Sequence, residues 1–279
     1  MRLQLKAKAE EVLQIVENGG YRNRAGEWVD IREAVDHAVA GTRLYRPVDS
    51  VGLMERSGDA QPGSGPVVTV TPETTQIAAS RMVKEGAGDL VLLNFASARH
   101  PGGGFINGAK AQEEDLARCS ALYHCLLPQK EYYDRNSSQP SMLYTDHLIY
   151  SPQVPWFRTR SRDEPDEVFL ASVITAPAPN ARQALLRGDT QDQIRVALER
   201  RCGQVLGVAR AHGHRNLLLG AWGCGVFGND PRMVAGAFKE WIDGPTFAGA
   251  FDQVVFAVFD GTEDQGTLRA FEETFRDRT

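Results

Sequence analysis

The chain has 279 residues, 42% hydrophobic and 24% charged, with a formal net charge of −5. At ~100–200 residues per domain that length allows one large domain or two small ones, and the composition is that of a soluble globular protein. The acidic balance excludes a protein that grips nucleic acid by bulk phosphate neutralisation, so direct DNA binding is not expected. No run approaches the ~20 apolar residues of a membrane helix, and residues 1–17 are too charged for a signal peptide, so a cytoplasmic location is the expectation. Cys119, Cys125, Cys202 and Cys224 show neither CxxC nor Cys/His ligand spacing. Structural zinc is therefore not expected, and nothing else calls for a metal or cofactor.

Leu5, Ala9, Val12, Leu13 and Val16 form a helical stripe that Gly19 and Gly20 end; a short helix over 31–39 and a strand over 42–46 follow. Composition marks 61–66 as a loop. Residues 1–65 read as an accessory segment packed on a core domain of residues 66–279. In the latter, 67–70 reads as a strand, and Thr71, Pro72 and Glu73 supply a cap and a first-position proline for a helix. Residues 90–95 are the continuous apolar run of a strand buried on both faces. A long amphipathic helix is predicted after Gln112, with Leu116, Cys119, Tyr123 and Leu126 at helical spacing. Cys119 and Cys202 read as buried thiols. Strands over 143–150 and 168–175 bracket a charged loop, 158–167. Thr190 and Gln193 form a capping box for a helix running to 211. His212 and His214 flank Gly213 at its end, where complementing the helix dipole is favoured over metal binding. A buried strand (217–222), a helix (231–242), a last strand (254–259) and a closing helix carrying Leu268, Phe271 and Phe275 complete the chain. This alternation predicts an α/β sandwich with helices on both faces of a mixed, mainly parallel sheet.

Two stretches carry chemistry. In the first, the buried strand 90–95 feeds a loop with three consecutive glycines, Gly102, Gly103 and Gly104, which ends at Gln112, Glu113 and Glu114. Consecutive glycines suit a sharp turn or a ligand lying against the main chain, and the acid pair falls in the first helical turn, at the positive end of the helix dipole. In the second, Gly223, Cys224, Gly225, Val226, Phe227 and Gly228 lie between a buried strand and a helix, where backbone amides can hold a diphosphate. The spacing also fits the dinucleotide fingerprint. That reading requires an acid at the end of a following strand ~20 residues on, whereas Glu240 and Asp243 fall in or at the end of a helix. A Rossmann dehydrogenase is therefore a poor fit.

The triplet Gly102 to Gly104 followed seven residues later by Gln112-Glu113-Glu114 resembles the GGG-x(6–8)-QEE signature of the poly(ADP-ribose) glycohydrolases, and the wider run around it resembles their bacterial type. The resemblance implies a three-layer α/β/α macrodomain-like fold and a catalytic acid at Glu114. It implies that the loop from Gly223 to Gly228 wraps the diphosphate of ADP-ribose, with Phe227 packed against ribose and diphosphate. It also places Ser97 and Asn107 where related enzymes have polar site residues. Gln112 positions the loop or a ribose; Phe105 either contacts ligand or anchors the glycine triplet to the core.

The implied reaction is cleavage of ribose–ribose O-glycosidic bonds of poly(ADP-ribose). It needs a proton for the departing oxygen and stabilisation of an oxocarbenium-like centre. Burial and the neighbouring Glu113 are expected to favour the protonated form of Glu114, which donates that proton and then activates water. Adjacent residues cannot flank a bond as a separated carboxylate pair does, so Glu113 is expected to bind ribose hydroxyls or to orient Glu114. The expected partners are poly(ADP-ribose), ADP-ribose and ADP-ribosylated proteins. The alternative is a macrodomain-like reader that binds ADP-ribose without turnover, and a more remote one is a hydrolase of free ADP-ribose derivatives or modified side chains.

Overall fold

The computed structural model describes residues 2–55, 65–160, 163 and 165–278. The loop expected at 61–66 lies outside the described residues up to 64, as do positions 161, 162 and 164 of the charged loop. Helix α1 (Arg2–Asn18) buries Leu5, Ala9, Val12 and Ile15 along one face. Gly19, at φ +74°, then turns the chain into the hairpin β1 (Gly20–Arg22) and β2 (Trp28–Asp30). Helix α2 (Arg32–Gly41), strand β3 (Arg43–Tyr45) and helix α3 (Pro47–Met54) follow. Residues 1–65, expected as an accessory segment, thus supply an edge strand of the main sheet, because β3 pairs antiparallel with β6 (Leu148–Trp156).

The rest alternates. In order come β4 (Val67–Thr71), α4 (Thr75–Lys84), β5 (Val91–Phe95), α5 (Gln112–Cys119), α6 (Leu122–Leu126), α7 (Lys130–Ser137), β6, β7 (Phe169–Ala176), α8 (Ala181–Leu186), α9 (Gln191–Ala211), β8 (Asn216–Gly220), α10 (Pro231–Asp243), β9 (Gln253–Ala257) and α11 (Gly266–Phe275). The seven-stranded sheet has the order β3-β6-β7-β5-β8-β9-β4. The run from β7 through β4 is parallel, and β6 is antiparallel to both neighbours. Alternate residues of β5 face opposite ways: Leu92 packs among residues of α1, α2, α4, α5 and α6, while Val91 and Leu93 pack among those of α9, α10 and α11. A strand buried on both faces needs the unbroken apolar run that residues 90–95 show. The result is the α/β/α sandwich.

Some elements differ from expectation. Thr71 still belongs to β4, so the next helix starts at Thr75 with Thr74 as its N-cap. The long helix after Gln112 breaks at Ser120, which is extended (φ −150°, ψ 175°) and bridges Trp156. The strand expected over 143–150 begins only at Leu148. Its first part is held as irregular chain, since the buried Arg201 donates to Leu143 O and Asn136 Oδ1 accepts from Thr145 N and Oγ1. The Thr190/Gln193 capping box forms as predicted, and Cys119 and Cys202 are buried. His212 and His214 are not dipole-complementing cations. His212 stacks on Tyr150 with ring centroids 3.6 Å apart, and burial pushes it down to about 4; burial lowers His214 as well, beside Tyr150 OH at 2.8 Å. Both imidazoles are neutral at pH 7 and serve as hydrogen-bonding residues, His214 buried and His212 half-buried.

Candidate active site

Strands β5 and β8 are parallel neighbours, so the loops that follow them leave the same edge of the sheet, where α/β sheets bind ligands. Their pairing stops at Leu92↔Leu218. Beyond it the Gln112 amide replaces the missing strand, accepting from Phe95 N (2.8 Å) and donating to Leu93 O (2.9 Å). This pins the end of β5 to the start of α5 and leaves a crevice between the two loops. Of the two roles open to Gln112, its contacts fit positioning the loop.

The glycine triplet is built around the acids. Gly102 and Gly103 have φ +64° and +58°. A Cβ added at Gly103 would lie 2.4 Å from Glu114 Oε1 and 3.3 Å from Glu113 Oε2. Gly104 N donates to Glu114 Oε1 at 2.9 Å. Beneath them Phe105 is completely buried against Tyr123, with ring centroids 4.7 Å apart, and belongs to a cluster with Ala9 and Ala117. Its side chain anchors the triplet to the core and does not line the cleft. Arg118, also fully buried, holds the next turn through Ala109 O (2.8 Å) and Asp115 (2.9 Å).

The burial expected of Glu114 belongs instead to Glu113, which is 2% exposed. Its Oε2 accepts from Ser97 N (2.6 Å) and its Oε1 from Asn94 Nδ2 (3.2 Å). Burial pushes its carboxyl up to about 8 against those donors, with Glu114 nearby adding to the rise. Burial thus favours the protonated form of Glu113, against the pull of its hydrogen-bond donors. Glu114, half-buried, is the more accessible acid. Position within one helical turn explains the split: α5 aims residue 113 under the end of β5 and residue 114 outward over the triplet.

Both carboxyls line a cleft of about 660 Å³ together with Ser97, Gly103, Gly104, Asn107, Val226 and Phe227. A second pocket of about 440 Å³ adjoins it through Phe95 and Ala111 and is lined by Gln112, Cys224 and Gly225. The two glycine loops thus converge. Gly223 (φ +73°) has Asn229 Nδ2 against it, 2.3 Å from where a Cβ would be, whereas Gly225 has nothing within 4 Å. Val226 is 78% exposed. Phe227, half-buried, lies 6.2 Å from Tyr144, and its carbonyl accepts from Arg182 N. Burial pushes the Cys224 thiol up to about 12, which favours its protonated form at pH 7.

Three contributors escaped the sequence reading. Asn94, completely buried, holds both Glu113 and Thr175 Oγ1 (3.2 Å); a single polar residue in the apolar run 90–95 was the available signal. Tyr123 was read only as part of a helical stripe, yet it lines the acid cleft. Phe259, 69% exposed at the rim of the second pocket beside Asp260 and Thr262, follows the last strand, where only topology could place it.

The family described as microbial-type PARG, catalytic domain, matches residues 9–159. Among solved structures, poly(ADP-ribose) glycohydrolase from Thermomonospora curvata is 46% identical, with 97% of this chain and 99% of that chain covered and a TM-score of 0.92. The same enzyme bound to the inhibitor ADP-HPD is matched at 45% identity and a TM-score of 0.89, with the same coverage. The Deinococcus radiodurans glycohydrolase in complex with ADP-ribose is 43% identical, with 87% of this chain and 97% of that chain covered and a TM-score of 0.80. No curated protein matches.

Proposed function

This chain belongs to the microbial-type poly(ADP-ribose) glycohydrolase family, and from that premise we propose that it cleaves ribose–ribose O-glycosidic bonds of poly(ADP-ribose) and releases ADP-ribose. The observation that carries the reading is that Glu113, Glu114, Val226 and Phe227 line one cleft, with the second pocket opening beside it. A bound ADP-ribose unit spans both. Its adenosine enters the second pocket, where Phe259 offers an aromatic face, and its diphosphate lies on the open loop at Gly225. Its distal ribose meets the acids beneath Phe227.

Glu114 then donates a proton to the departing ribose oxygen and, once ionised, takes one from the water that attacks the anomeric carbon. Glu113 orients the ribose, and the burial that favours its protonated form works against a second negative charge beside Glu114. Holding the diphosphate fixes the anomeric carbon against Glu114, which is positional catalysis. Residues 1–65 act as an accessory segment that steadies the acid loop: Ala9 packs on Phe105, and Arg2 Nε donates to Asn107 O at 3.0 Å. Incubation with end-labelled poly(ADP-ribose) tests the reading. Release of free ADP-ribose is expected; retention of intact polymer without release would make the chain a reader instead.

A further inference from the structure

The second glycine loop runs past three neighbourhoods in order. Gly225 lines the pocket of Phe259, Val226 and Phe227 line the acid cleft, and Gly228 lies against Arg182. The Cβ, Nε and Nη2 atoms of Arg182 are 3.6, 3.7 and 3.9 Å from where a Gly228 Cβ would be. On the other lip, Ser97 Oγ accepts from the backbone N–H groups of Arg99 (3.3 Å) and His100 (3.2 Å). That turn leaves His100 facing the cleft and carries the Arg99 guanidinium to Met142 Sδ, 3.7 Å away. Met142 packs with Ala181, the residue before Arg182, and with Tyr144, which touches Phe227. Arg99 and Arg182 are therefore linked through one cluster of Met142, Ala181 and Tyr144, next to the Phe227–Gly228 end of the loop.

Both arginines are exposed, and neither has a carboxylate partner among the described residues. The carboxylates near this cluster are engaged elsewhere. Asp189 accepts from Ser141 Oγ at 3.0 Å, and Asp230 caps α10 through the N–H groups of Arg232 and Met233. In a chain of net charge −5, two exposed guanidinium groups with no carboxylate partner among the described residues, near a cleft for a polyanion, match phosphate, which arginine grips through paired N–H donors.

On the glycohydrolase reading above, the terminal unit fills the course from Phe259 to Glu114, and the next unit begins beyond Glu114. We propose that Arg99 and Arg182 form a subsite for the diphosphate of the ADP-ribose unit on the leaving side of the scissile bond. The subsite makes the enzyme selective for polymer over substrates whose leaving group carries no phosphate.

The test compares an oligomer of several ADP-ribose units with an ADP-ribosyl glycoside whose aryl leaving group is uncharged, using the wild type, the double variant Arg99→Gln/Arg182→Gln and the double Lys variant at several salt concentrations. The Gln pair should lose about tenfold or more in kcat/KM on the oligomer, the scale of lost charge-assisted contacts. The loss should lie in KM, and with it should go most of the salt dependence. Aryl glycoside turnover should stay within about twofold, and the Lys pair should recover part of the loss. Equal losses on both substrates, or none on the oligomer, would overturn the subsite while leaving the glycohydrolase reading intact. A wild-type protein inert on both substrates would sink that reading and the subsite with it.

Discussion

The two glycine loops are built to opposite ends. In the first, Gly103 has the acids themselves against its Cα, and the surrounding polar groups are bound internally: Gly104 N to Glu114, Ser97 N and Asn94 to Glu113, Arg118 to Ala109 O. In the second, Gly225 faces open space and Val226 is 78% exposed. The first loop spends its glycines on holding catalytic groups, and the second leaves its backbone bare for a ligand. The same residue type therefore has different consequences when replaced.

Of the two glycine replacements, Gly103→Ala should show the larger effect. A left-handed alanine costs about 1–2 kcal/mol, but the added methyl also falls on Glu114 Oε1, which can yield only by turning away. Activity should thus fall by about 100-fold or more, the scale of a lost general acid, while thermal denaturation reports only a modest loss. Retained activity would show that the contact is not needed. Glu113→Gln sharpens the internal side of the comparison through pH. Because burial raises the Glu113 carboxyl from 4.5 to about 8, its contribution to stability is fully present below about pH 4.5 and is lost as pH climbs through 8. The wild type should therefore lose stability relative to the non-titrating Gln variant across that window, and a pH-independent difference would contradict the assignment. Gly225→Ala should have the smallest effect on the fold, within about 0.5 kcal/mol, because nothing lies within 4 Å. It should nonetheless weaken ADP-ribose binding by about tenfold, the worth of ~1.4 kcal/mol. Unchanged affinity would remove Gly225 from the ligand's path.

Local features were legible in the sequence. The Thr190/Gln193 capping box, the double-sided burial of residues 90–95 and both glycine loops depend on neighbours within a few positions. What was lost depends on distant chain. Glu113 rather than Glu114 is buried because Asn94 and Ser97 reach it from the strand side. Residues 143–147 are held out of β6 by Arg201 and Asn136. His212 is neutral because burial, beside the stacked Tyr150, lowers it, with His214 and Arg43 adding to the effect. Phe105 looked equally suited to core or ligand until Ala9 of α1 closed over it.

The most direct test of the account is Glu114→Gln assayed for both release and binding. Removing the proton donor should cut ADP-ribose release from polymer by about 10³-fold, the range of general acid catalysis, while ADP-ribose affinity stays within about tenfold, since one altered hydrogen bond is worth ~0.5–1.5 kcal/mol. Turnover that survives the substitution would contradict the assignment of the chemistry to this carboxyl.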